Sequence, residues 1–232
     1  MRRARLPSVL VLIVVVASLS GCLARYSFDF VDEGDFANEQ GAWYAEGISS
    51  SFTDQGFWMA DYRLTAPYGF SGNFTCKFEF YVSYGTDPIE WMNFLLVDDK
   101  WQETVSVARF FGLSIHNYST SSTSASPMYT GPEYSVWQGS DWDYFNENAE
   151  PPGMVNDSIN TVEISKRGDY FTVRMNGTIL GARMLIKPAN RAEYWYPGIH
   201  GSFDYSAPHG FFLRRVSVSY WPGTELEASW AF

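Results

Sequence analysis

The sequence predicts an all-β fold, a two-sheet antiparallel β-sandwich, and three observations carry that reading. Aromatic residues make up 18% of the 232 residues, with Trp 9, Tyr 15 and Phe 18, and such rings suit pleated, half-buried surfaces. Apolar and polar residues alternate at a period of two in segment after segment from Tyr26 to Tyr220, the spacing of strands with one buried face. Long helix-forming stretches are missing after the N-terminal apolar run.

The first strand is read over residues 26–31, where Tyr26, Phe28 and Phe30 alternate with Ser27 and Asp29. Residues 56–64 offer Phe57, Met59 and Tyr62 ahead of a turn at Pro67-Tyr68-Gly69. Residues 73–83 give the cleanest alternation: Phe74, Cys76, Phe78, Phe80 and Val82 on one face, Thr75, Lys77, Glu79 and Tyr81 on the other. Residues 91–97 are nearly continuous in apolar character, as in a strand covered on both faces. Residues 104–116 follow with Val105, Val107, Phe111, Leu113 and Ile115.

Residues 119–158 break the rhythm. A Ser/Thr-rich run is followed by Pro127, Pro132, Pro151 and Pro152, and the stretch reads as one long irregular segment. Regular structure returns at 160–180, which two turn signals divide into three strands. Lys166-Arg167-Gly168-Asp169 forms a Gly-containing turn, and Asn176-Gly177 is the preferred pair for a two-residue type I′ hairpin. Residues 195–199 form a short strand and 211–220 the last one. There is no internal repeat and no second domain boundary.

Asn160, Val162, Ile164, Gly168, Val173, Asn176 and Gly177 spell an N-x-V-x-I … G … V-x-x-N-G pattern. In this the chain resembles concanavalin A-like, laminin-G-like and related glucanase jelly rolls. The resemblance implies a concanavalin A-like jelly roll and transfers no function, because hairpin chemistry itself demands these residues. The glucanases of that family carry Glu-x-Asp-x-Glu on one strand, and no such motif occurs here. The same segment is similar to the family that hydrolyses 3-keto-glycosides. That family's Asn-Ser-Gly-Ile-x-Phe-Arg strand is absent, and Trp91-Met92-Asn93-Phe94-Leu95-Leu96 stands near its place.

At the N-terminus, Arg2, Arg3 and Arg5 precede an apolar run and then Leu19-Ser20-Gly21-Cys22. The run is too short to span a bilayer stably and reads as an export signal. It resembles the lipobox of bacterial lipoproteins. The resemblance implies cleavage before Cys22, acylation of that residue, and a cell-envelope address. Leu23 is not the Asp that retains many such lipoproteins in an inner membrane, so an outer membrane is expected where the host has two. The expected divisions are 1–21 signal peptide, 22–25 lipidated tether, 26–222 sandwich and 223–232 tail.

Removing Arg2, Arg3 and Arg5 from the 16 Lys and Arg leaves 13 against 26 Asp and Glu, a formal net charge of −13. Such an acidic surface argues against nucleic-acid partners. With Cys22 consumed by the lipid, Cys76 has no disulfide partner and reads as a small buried hydrophobe.

The preferred ligand-binding residues are Trp137, Asp141, Trp142, Asp143 and Asn146, with a glycan or envelope polymer as the ligand. Sugar recognition joins a flat aromatic platform to carboxylates or amides that reach hydroxyls, and this segment brings both together. Catalytic residues are not identified. Three histidines lack zinc-ligand spacing. Asp98-Asp99, Asp141/Asp143 and Asp32/Glu33/Asp35 can offer calcium oxygens, but without an ordered loop signature, so no cofactor is assigned. The chain is therefore read as a lipid-anchored, lectin-like binder. The alternatives are a glycoside hydrolase-like enzyme and a protein-interaction module. Cys22→Ser is expected to abolish acyl labelling of the expressed protein and release it from the membrane fraction; unchanged labelling contradicts the anchor.

Overall fold

The strongest alternation folds as its pattern demands. The computed structural model describes residues 23–30, 43–83, 90–98, 109–118, 131–138, 152–202, 210–221 and 224–228. Along β5 (Phe74–Ser83) every second residue from Phe74 to Val82 is buried and the intervening ones are half-exposed. The other strands are β1 (Ala24–Asp29), β2 (Tyr44–Thr53), β3 (Gly56–Thr65), β4 (Tyr68–Phe70), β6 (Glu90–Val97), β7 (Phe110–Tyr118) and β8 (Gly131–Gln138). They continue with β9 (Ser158–Arg167), β10 (Tyr170–Met175), β11 (Thr178–Leu185), β12 (Tyr196–Ser202), β13 (Gly210–Tyr220) and β14 (Leu226–Ala228).

Antiparallel pairing joins twelve of them in one sheet that folds into two layers, β1-β13-β5-β9-β10-β11 and β2-β3-β12-β6-β7-β8, and β4 pairs with β14. The layers meet at β13. Its first part pairs with β3 through Phe212 and Leu213, and its later part, from Arg215, pairs with β1. A bulge at Arg214 marks the change of partner. There the Arg214 guanidinium donates to the carbonyls of Asp54 and Gln55. Gly56 takes φ +137° beside it, and a Cβ would stand 2.5 Å from the Leu213 oxygen, so only glycine fits.

The core lies between the layers and is largely aromatic. Phe94 of β6 packs on Phe78 and Phe80 of β5, with ring centroids 5.5 and 4.6 Å apart. Phe111 of β7 stacks on Phe171 of β10 at 4.1 Å and 19°, and Trp195 meets Phe171 edge-on at 5.2 Å. The expected two-sheet antiparallel sandwich is therefore the observed fold.

The N-x-V-x-I … N-G pattern has a structural cause. Asn160 is fully buried, and its Nδ2 donates to the carbonyls of Val155 and Ser158. Its Oδ1 accepts from Val155 N and from Asn176 Nδ2. Asn176 in turn accepts from Thr161 N at 2.7 Å and donates to the Gly153 oxygen at 2.6 Å. Two amides thus tie the segment before β9 to the β10–β11 hairpin. Asn176 and Gly177 have φ of +46° and +83°, as the I′ turn requires.

Several expectations change. The stretch 119–158 is not irregular throughout, because residues 131–138 form β8 along β7. Tyr134, Val136 and Trp137 favour a strand, and Pro132 is tolerated since, among the described residues, β8 pairs on one side only. Ala24 and Arg25 belong to β1, which leaves Leu23 between Cys22 and the first strand. Residues 226–228 pair with β4, where a simple turn was expected. Cys76 is fully buried, and burial pushes its thiol well above the ordinary range. It is expected to label slowly with a thiol reagent in the native state and rapidly in denaturant; equal rates contradict this packing.

Candidate functional site: a polar row across the second layer

Register across five ladders assembles one transverse row: Glu46 (β2), Arg63 (β3), His200 (β12), Asn93 (β6), Ser114 (β7) and Ser135 (β8). The row one residue away is Ala45, Leu64, Ile199, Phe94, Leu113 and Val136. Leu64, Ile199, Phe94 and Leu113 of that row belong to the core between the layers. Successive side chains alternate faces, so the polar row lies on the outer face of the second layer.

The row is graded in exposure. Asn93 and Ser114 are only 3% and 1% exposed, His200 and Arg63 are half-buried, and Glu46 is exposed. Arg63 is ion-paired with Glu46. The Tyr44 hydroxyl also donates to that carboxylate at 2.9 Å. This hydrogen bond, and then the Arg63 charge, hold the Glu46 carboxyl below the usual range, so it is ionised at neutral pH. Burial, followed by the hydrogen bond to Glu46, raises the Tyr44 phenol.

The adjoining outer row is Tyr44, Thr65, Gly198, Leu95, Gly112 and Trp137. Leu95 of this row joins Val97, Phe110 and Tyr196 in a second apolar cluster with Tyr194, which covers the outward side chains of Leu95 and Val97. Polar atoms stand unpartnered where these rows adjoin. Asn93 Oδ1 and Thr65 Oγ1 are buried without a hydrogen-bond partner. Gly198 lies between Thr65 and Leu95 in register and contributes no side chain. Buried polar atoms in native proteins are nearly always satisfied, so each exception asks for an explanation.

Chemically, the row offers an amide, an imidazole, a guanidinium, hydroxyls and one carboxylate, a mixed donor and acceptor set suited to a neutral polyhydroxyl ligand. Of the residues singled out in the sequence, Trp137 is placed in β8 rather than in a loop. By register it lies opposite Gly112, on the row next to the polar one. Asp141, Trp142, Asp143 and Asn146 lie outside the described residues, as do Cys22, Asp32, Glu33, Asp35 and Asp99. Among the described residues no group of three or more His, Cys, Asp or Glu is placed to hold a metal, and no helix is long and apolar enough to cross a membrane. Sequence reading missed Glu46, Arg63, Asn93, Ser114 and His200. The one available signal was Asn93, a polar residue inside an apolar run.

These features define a two-layer antiparallel β-sandwich with a polar outer row. The same fold occurs in the CBM2 module of the evolved Dit of Lactobacillus casei BL23 phage J-1. That match has a TM-score of 0.59 and 11% identity, covering 86% of this chain and 96% of that one. It also occurs in the Emp46p carbohydrate recognition domain, with TM-score 0.53 and 14% identity over 84% of this chain and 95% of that one. The alginate lyase Aly36B matches with TM-score 0.50 and 10% identity, over 84% and 94% of the two chains. At such identities the likeness is one of fold. No protein-family model and no curated protein matches this sequence.

Gly112 makes a sharp prediction. A Cβ there would lie 2.3 Å from the Phe94 carbonyl oxygen and 2.5 Å from Leu95 Cδ2. Gly112→Ala is expected to destabilise the domain by about 1–3 kcal/mol, read as a lower midpoint in urea; an unchanged midpoint contradicts the β6–β7 packing.

Proposed function

We propose that this protein is a lipid-anchored envelope lipoprotein that binds carbohydrate on the outer face of its second layer. The observation that carries the reading is the unpartnered Asn93 amide oxygen within a row of His200, Arg63 and Ser114. A sugar hydroxyl is the natural donor to such an acceptor, while the imidazole and guanidinium donate to neighbouring sugar oxygens. Trp137, at the β8 end of the adjoining row, is the proposed aromatic platform. The segment of Asp141, Trp142, Asp143 and Asn146 follows directly in sequence and supplies further contacts. The neighbours of like fold support this reading, since one is a CBM2 module and another a carbohydrate recognition domain. The lipobox supports the anchor at Cys22.

A second reading comes from the same row. Base-promoted elimination from an acidic polysaccharide needs a group that takes the proton next to a carboxylate, and a cation or amide that neutralises that carboxylate. The glycosidic C–O bond then breaks and its electron pair leaves with the departing sugar. His200 beside Asn93 and Arg63 has the elements of such a site, and one neighbour of like fold is an alginate lyase.

A glycan array probed with the chain, followed by titration with the strongest glycan, tests binding. Asn93→Ala is expected to weaken it by about tenfold or more, or ~1.4 kcal/mol, while Lys77→Ala on the other layer leaves it unchanged. Equal affinity in Asn93→Ala contradicts the site. Release of an unsaturated uronate from acidic polysaccharide, abolished by His200→Ala, favours the second reading.

A further inference from the structure

The first layer ends in a continuous row of pairs beside Leu23 and the start of β1. Ala24 pairs with Tyr220, Tyr220 with Phe74 and Phe74 with Lys166. Across the next turn Arg167 pairs with Tyr170, and Tyr170 with Leu185. At and just past these pairs the domain leaves large apolar groups in the open: Leu23 is 47%, Trp221 45%, Tyr170 37% and Leu185 53% exposed.

Cations accompany them. The Arg167 guanidinium lies over the Trp221 ring at 5.9 Å, and that of Arg183 over Tyr170 at 5.0 Å. Arg25 is exposed in β1. Lys166 donates to the Gly72 oxygen, and Arg191 pairs with Asp169 in the β9–β10 turn. With Lys187, just past β11, six of the 13 Lys and Arg after residue 21 gather at this end of a strongly acidic chain. The opposite end differs. There, among the described residues, the exposed apolar groups are Val155 and Ile159, beside Asn156 and Asp157, and Ile179, opposite an Arg174 already paired with Glu163.

We propose that this end of the sandwich is a bilayer-contact surface. Trp221, Tyr170, Leu185 and Leu23 seat at the boundary between headgroups and acyl chains, and Arg25, Arg167 and Arg183 reach headgroup phosphates. The occupant follows from where the chain leaves the domain. Only Leu23 separates Cys22 from β1, and each Cα step spans about 3.8 Å, so a lipid on Cys22 holds this end at headgroup depth. Trp and Tyr rings are enriched at that depth, and Lys and Arg bury their stems there while keeping their charge at the surface. The strands of the first layer then run away from the membrane. The proposal rests on the anchor at Cys22 and is independent of what the polar row binds.

The test supplies the anchor chemically, so that failure of native acylation and failure of this surface are read separately. The chain from Cys22 onward contains every described strand. It is coupled through the Cys22 thiol to maleimide-headgroup lipid in vesicles of phosphatidylethanolamine and phosphatidylglycerol with brominated acyl chains; the buried Cys76 does not compete. Tryptophan emission is expected to be quenched, and Trp221→Phe, which keeps a ring beside Arg167, is expected to remove most of the quenching at an unchanged melting temperature. Equal quenching in both proteins, or quenching in neither, overturns the proposal. Acyl labelling of Cys22 in the cell reads the native anchor by itself.

Discussion

Packing of Phe94 against Phe78 and Phe80 sets the rest of the molecule. Because side chains alternate along a strand, an inward Phe94 forces Asn93 and Leu95 to the outer face of β6. Antiparallel register carries that parity across β12, β3 and β2 on one side and β7 and β8 on the other. A one-residue slip of β6 would turn Asn93 and Leu95 into the core and put Phe94 on the outer face. The stack of Phe111 on Phe171 fixes the same relation further along the layers. Among the described residues, most of the aromatic rings pack between the layers.

The two outer faces meet water on different terms. On the first layer the charges satisfy one another: Asp29 with Arg215, Lys77 with Glu79 at 2.8 Å, and Glu163 with Arg174 at 3.3 Å. Thr75 and Ser165 share a hydrogen bond at 3.0 Å. Exposed pairs of this kind add little stability and leave a hydrated surface with little to offer a ligand. On the second layer the buried Asn93 and Thr65 keep polar atoms without partners. That contrast, more than the fold itself, locates the candidate site, because the sandwich scaffold hosts many functions.

Legibility in the sequence followed locality. β5, β9, β10 and β11 were readable because alternation and turn chemistry are written within a few residues, as at Asn176-Gly177. β2 was not, since Gly47 and the serines from Ser49 to Ser51 carry no apolar period, and pairing with β3 overrides that weak preference. β8 was hidden among Pro and Ser residues. The polar row was unreadable for a different reason. Its residues come from strands between positions 46 and 200, and only long-range register makes them neighbours. Trp137 was flagged on chemistry alone, and register brings it to the row beside that site, although as a strand residue.

The central claim is that ligand recognition belongs to the outer face of the second layer. Backbone and side-chain amide NMR, recorded while the strongest array glycan is titrated into the protein, tests it most directly. Shifts are expected to concentrate in β3, β12, β6 and β7, with the Asn93 side-chain amide among the most affected. Shifts confined to β5, β9 and β10, with the Asn93 amide unmoved, would contradict it.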